Sequence, residues 1–235
     1  MITGAAGFVG RILRSHWGPR YQLRLLDVRN TEAIAEYEAF VEADIAEYDQ
    51  MLNACRGVDT VVHLAADPSP SATFYDTLLS RNVIGAYNAI HAAYEAQCRR
   101  IVFASSMNAV LGHLGGEPVQ ADGPPYPQNV YGATKVWGEA LARVYSDRYD
   151  LSCICVRLAS PRFAQNGDWN PEEVSNGISP RDMAQLFGRC VDVENLSFAI
   201  VNGVSRHRRS HVAIEATCQL LGYEPRDGTA FPKTA

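Results

Sequence analysis

Short apolar runs alternate along this chain with amphipathic stretches of helical period, which predicts a doubly wound α/β domain with a parallel sheet. Residues 1–3, 22–27, 39–43, 60–64, 101–105 and 152–157 read as strands, rich in β-branched and apolar side chains. Residues at about 8–16, 47–55, 72–97 and 130–148 carry the three-to-four-residue apolar spacing of helices. Past residue 157 the pattern loosens into Gly, Asn and Pro around residues 160–180. A helix over about 180–193, a strand near 197–201 and a helix through 210–221 follow. The first strand is the oddity. It offers three residues where about five or six are usual, so either it is clipped or residues are absent ahead of it.

Composition narrows the field. A chain of 235 residues with 47% hydrophobic content can bury a full core as one domain, or as one domain with a small lobe. A net charge of −5 gives no basic footprint for nucleic acid. No apolar run approaches the roughly 20 residues of a membrane span, and no signal peptide is read. The six cysteines are scattered without a CxxC pair, which suits buried thiols in a reducing cytoplasm. The histidines show no metal-ligand spacing, so no metal is expected.

The chemistry starts at the N-terminus. Gly4, Gly7 and Gly10 stand at three-residue spacing between the first strand and a helix opening with Phe8 and Val9. Such glycines allow a tight turn and let backbone approach a pyrophosphate at the helix's positive end. Asp27 closes the second strand, where a carboxylate accepts ribose hydroxyls and repels a 2′-phosphate, so NAD is favoured over NADP. Arg29 stands close enough to soften that preference. Tyr131 and Lys135 lie four residues apart, about one helical turn, so both leave the same face. An ammonium beside a phenol lowers its pKa, which would fit Tyr131 to exchange a proton near neutral pH. Ser105 closes the fifth strand and Ser106 lies beyond its end, where this topology gathers active-site groups. His63, on an apolar strand, reads as a core histidine.

With TGAAGFVG, Asp27, Asp44-Ile45, HLAA at 63–66, NVIG at 82–85, FASS at 103–106 and YGATK at 131–135 in order, the chain resembles the extended short-chain dehydrogenase/reductases. Among these it is similar to the NAD-dependent epimerase/dehydratase family, and within that to bacterial uronate dehydrogenases. The resemblance implies a Rossmann domain over 1–158 and a small C-terminal substrate lobe over 159–235. It implies that Tyr131 is the general base, that Lys135 holds the nicotinamide ribose, and that Ser106, in preference to Ser105, orients the reacting oxygen. Asn82 would shape the helix beside the site. Asp44 and Ile45 would meet adenine, and Leu64, Ala65 and Ala66 would run beneath the cofactor. Ser106, Asn108 and Ser160 would contact the sugar. A homo-oligomer joined through the helices at about 72–97 and 130–148 is also implied, unless Tyr87, Tyr94 and Trp137 pack only within the subunit.

The expected function is NAD-dependent oxidation of a sugar or sugar-acid hydroxyl, C1 to lactone in the uronate case. An epimerase or dehydratase with tightly held NAD is the alternative, followed by a non-catalytic NAD-binding sensor. The resembling uronate enzymes grip the sugar carboxylate with an arginine after the sixth strand. Residues 165–172 here hold no arginine and two acids, with Arg162 just before them, so a neutral aldose or polyol stays open as substrate.

Overall fold

The structure, a computed structural model, describes residues 1–31, 34–160, 177–207 and 210–228. Seven strands form one parallel sheet: β1 (Ile2–Thr3), β2 (Leu23–Asp27), β3 (Glu38–Glu42), β4 (Thr60–His63), β5 (Arg100–Ser106), β6 (Ser152–Leu158) and β7 (Phe198–Gly203). Their order is β3-β2-β1-β4-β5-β6-β7, so the chain reverses direction across the sheet between β1 and β4. Ligands in open α/β sheets bind at the carboxyl ends of the strands beside such a reversal.

Alternation along the strands sorts side chains to two cores. Ile101, Phe103, Cys153 and Cys155 face α2 (Tyr48–Cys55), α3 (Gly85–Glu95) and α4 (Val130–Tyr149). Val102, Ala104, Ile154 and Val156 face α1 (Phe8–Trp17), α5 (Pro180–Asp192) and α6 (Glu215–Leu221). Phe103, Ile101 and Phe187 are almost wholly buried. Burying side chains of this size stabilises by about 1.5–3 kcal/mol each.

Three elements differ from the sequence expectation. The helix expected over 72–97 divides into a wide π-type helix, Phe74–Ile84, and α3. Its opening turn is set by the Leu78 N–H, which reaches back five residues to Thr73 O at 3.3 Å. The helix expected over 210–221 covers only Glu215–Leu221, because Val212 is drawn into a parallel bridge with Val119. β1 has only two residues, yet Ile2 pairs with both Leu25 and Val62 and is fully buried.

Beyond Leu158, β7 pairs in parallel with β6 and α5 adds Met183, Leu186 and Phe187 to the core that holds Leu13 and Trp17. Off the sheet, Met107, Val110, Val119, Ala159, Val204, Val212 and Ile214 form a small separate cluster above the carboxyl ends of β5 to β7. Asn202 ties it to the sheet, donating to Val119 O at 3.0 Å and Ala213 O at 2.9 Å.

Candidate active site

The first half of the site is the turn between β1 and α1. Gly4 has φ +68°, and a Cβ there would meet Ala65 N at 2.8 Å; one at Gly10 would meet Gly4 O at 2.6 Å. Only glycine lets the turn lie this close to the β4 loop. The Gly7 N–H closes the turn on Gly4 O at 2.9 Å, and Gly7 brings no side-chain cap to α1. The helix thus presents its positive end, with Phe8 exposed and Val9 half-buried behind it.

Asp27 stands beside this turn, its carboxylate accepting from Ala6 N and Arg29 N at 3.0 Å each. A carboxylate has further lone pairs for a diol. The Arg29 guanidinium lies 3.7 Å away and largely in solvent. Leu64, Ala65 and Ala66 leave β4 half-buried on the far side, where Thr3 Oγ1 accepts from Leu64 N and Ala65 N at 3.2 Å each. Ile45 is buried against Gly85, while Asp44 is exposed and accepts from Ala46 N at 2.9 Å. A tight glycine turn, an uncapped helix end and an adjacent carboxylate fit a dinucleotide.

The second half lies where β5 ends and α4 begins. Asn129 caps α4, accepting from Gly132 N at 2.7 Å, which fixes the first turn bearing Tyr131. The Asn129 amide also donates to Asn108 Oδ1 at 2.8 Å, and Asn108 donates to Ser106 Oγ from its amide at 3.1 Å and its backbone at 3.2 Å. These two donors fix the Ser106 hydroxyl, whose polarity works against burial to lower the Tyr131 pKa. Ser105 points elsewhere, donating to Glu139 at 2.6 Å within the buried ion pair of Glu139 with Arg157. Ser106 is therefore the serine linked, through Asn108 and Asn129, to the turn that bears Tyr131.

Lys135 departs from expectation. Its ammonium donates to Ala104 O at 2.9 Å and stands 5.7 Å from the centre of the Tyr131 ring. Burial pushes Lys135 down to about 8. Tyr131 is raised rather than lowered, first by burial and further by the Asp67 carboxylate, against the Ser106 hydrogen bond. Desolvation of a phenolate wins because the lysine charge is turned to the strand carbonyl.

Asn82, buried on the π-type helix, bonds Asp67 at both ends of the peptide unit and reaches Thr134 Oγ1 at 3.2 Å. Thr134 in turn donates to Tyr131 O at 2.7 Å. His63 is a core residue: it is buried, bonded to Thr3 Oγ1 at 2.9 Å, and lowered to about 3 by desolvation. Ser160 is exposed at the end of the β6 segment. Arg162 and residues 165–172 lie outside the described residues. Asp67, Thr134, Asn129 and the Glu139–Arg157 pair escaped the sequence reading. An arginine inside the apolar run of β6 was the available signal for the last.

Among the described residues no three His, Cys, Asp or Glu side chains converge as metal ligands. None of their helices is long and apolar enough to cross a membrane. A cavity of about 490 Å³ lies at the opposite edge of the sheet, around Met1, Leu23 and Thr60. It sits away from the carboxyl edge and from every group above.

The family model for the NAD dependent epimerase/dehydratase family matches residues 1–184. The NAD-dependent glucose-6-phosphate dehydrogenase of Haloferax volcanii is 32% identical over 98% of this chain and 94% of its own length. The L-arabinose 1-dehydrogenase (NAD(P)(+)) of the same organism is 31% identical over 97% of this chain and 96% of its own. The crystal structure of uronate dehydrogenase from Agrobacterium tumefaciens superposes with a TM-score of 0.84 at 29% identity, covering 99% of this chain and 90% of that one.

Proposed function

The chain belongs to the NAD dependent epimerase/dehydratase family, and from that premise we propose that it is an NAD-dependent dehydrogenase of a small sugar or sugar acid. The single observation that carries this reading is the hydrogen-bonded chain Ser106–Asn108–Asn129, which ties the end of β5 to the first turn of α4 that bears Tyr131, at the sheet edge that holds the glycine turn. The relatives named above support oxidation at a sugar hydroxyl, though the sugars in their names differ in charge.

NAD, when bound, supplies the hydride acceptor. The turn at Gly4, Gly7 and Gly10 with Phe8 and Val9 would hold its pyrophosphate, Asp27 the adenosine ribose, and Asp44 and Ile45 the adenine. Leu64, Ala65 and Ala66 would line its path, Asn82 would shape the wall beside it, and Lys135 would turn from Ala104 O to the second ribose. Tyr131 takes the proton of the substrate hydroxyl as its carbon loses hydride and the carbon–oxygen double bond forms. Ser106 donates to that oxygen and holds it at the phenol. Asn108 orients Ser106 from behind and, with Ser160, faces the sugar hydroxyls. In this division residues 1–158 hold the cofactor and the proton-transfer groups, and residues 159–235 would serve the substrate.

The face of α3 and α4 carries half-exposed Tyr87, Trp137 and Val144, an apolar patch of the kind that pairs protomers. We infer a homo-oligomer built on it. Six unpaired cysteines, five of them buried, support residence in a reducing cytoplasm.

The test is an NADH-absorbance screen over uronates, neutral aldoses and polyols, with NAD and NADP in parallel. Steady NADH production from a free sugar, faster with NAD, is expected. No production, with cofactor retained through purification, would instead indicate the epimerase reading.

A further inference from the structure

Asp67 holds a carboxylate beside the reacting groups that the proton-transfer scheme does not use. It follows Ala65 and Ala66 at the carboxyl edge of β4 and is half-buried. Its place is fixed on both sides of the site. Asp67 N donates to Asn82 Oδ1 at 2.8 Å, and Asn82 Nδ2 donates to Asp67 O at 3.0 Å and contacts Thr134 Oγ1 at 3.2 Å. Thr134 closes the link to the Tyr131 carbonyl at 2.7 Å. The carboxylate therefore keeps its distance from the phenol, and its charge is felt there as a force against ionisation.

One carboxylate oxygen, Oδ1, accepts from Ser69 N at 3.0 Å. Among the described residues the other meets no donor, and no Lys, Arg or His pairs with the group. The cations at this junction are directed elsewhere, Lys135 to Ala104 O and Arg157 to Glu139. The described wall of the site thus offers a charged acceptor on the loop that Asn82 and Thr134 tie to the Tyr131 turn. An ionised carboxylate can only accept, and it bonds a hydroxyl about twice as strongly as a neutral acceptor does. The same group repels an anion in a site sheltered from water.

Building on the dehydrogenase reading, we propose that Asp67 is a specificity-determining residue: its carboxylate accepts a hydroxyl next to the reacting carbon and selects an uncharged sugar over a sugar acid. Ser69 and Ser71, bonded to each other at 2.9 Å just beyond it, continue that neutral, hydroxyl-matching wall.

The test compares kcat/KM for a neutral aldose and for the uronate of the same configuration, in the wild type and in Asp67→Asn. The asparagine keeps an oxygen for Ser69 N and removes the charge. The wild type is expected to favour the neutral sugar. Asp67→Asn should lose about tenfold on it and gain on the uronate, since a charge-assisted bond and a like-charge repulsion both disappear. Because the Asp67 charge opposes ionisation of Tyr131, the rise of kcat/KM with pH should also move to lower pH in the variant. The dissociation constant for NAD, read by fluorescence titration, should stay unchanged and reports an intact fold. A wild type that prefers the uronate, or a variant with intact NAD binding and an unchanged preference and pH profile, overturns the assignment of Asp67 alone. A wild type that fails to reduce NAD with every sugar tested overturns the dehydrogenase reading, and this assignment with it.

Discussion

Tyr131 and Lys135 are one turn apart on α4, and burial drives their pKa values apart: the phenol rises and the ammonium falls to about 8. Their four-residue spacing made the pair legible in the sequence, because a helix fixes which side chains share a face. The direction of the lysine was not legible, since the carbonyl that attracts it belongs to β5, thirty-one residues earlier. His63 shows the same limit from the other side. Its apolar neighbours marked it as a core residue, but only the fold reveals Thr3 as its partner. Thr3 Oγ1 already accepts two backbone N–H groups, so its own proton goes to His63 Nδ1 and the ring is protonated at Nε2. Burial lowers His63 to about 3 from an ordinary 6.5. Between those values the unfolded chain takes up a proton that the folded chain refuses, so this contribution is complete above 6.5 and is lost as pH falls toward 3. Unfolding free energies from denaturant titrations across this range should fall more steeply in the wild type than in His63→Asn, by at most about 1.4 kcal/mol per pH unit. Parallel curves for the two proteins would contradict a neutral, buried His63.

The strands were readable as short apolar runs, as in β5, which is buried on both faces, and most helices because each buries one face at a period of 3.6, as in α5. The boundary between the π-type helix and α3 was not, because both conformations place apolar residues at similar intervals and the difference rests on where hydrogen bonds close. Asn82 sits on the wide segment and reaches both Asp67 and Thr134, two contacts that tie three elements together. The relay from Asn129 through Asn108 to Ser106 was equally hidden. Asn129 alone reads as an ordinary cap and Asn108 was expected to face the sugar, and only the packing of α4 on β5 brings them into line. That packing is close because Gly138 faces the Phe103 ring, where a Cβ would stand 2.2 Å from Cζ. The approach is what lets the Lys135 ammonium meet Ala104 O.

At the scale of the molecule, the sheet reversal between β1 and β4 sets the glycine turn beside the β5–α4 junction, so a cofactor cradle and a proton-transfer group share one edge. The order of motifs made this architecture legible; the charge of the sugar depends on groups that meet only in the folded chain. The outward face of α3 and α4 carries Tyr87 and Trp137, each 41% exposed, and the proposed pairing of subunits rests on this face. Sedimentation should give a mass at least twice the 25.8 kDa of one chain, and Trp137→Glu should shift it to the monomer by setting a charge in the apolar contact. A wild-type monomer would contradict the pairing. The central claim is that Tyr131 moves the proton while the cofactor is held by other groups. Its most direct test is Tyr131→Phe, measured for sugar-dependent NADH formation and for NAD binding in the same preparation. Turnover should fall by about 10²–10⁴-fold, the scale of general acid–base catalysis, with NAD affinity nearly unchanged. Turnover within a few fold of the wild type would contradict it.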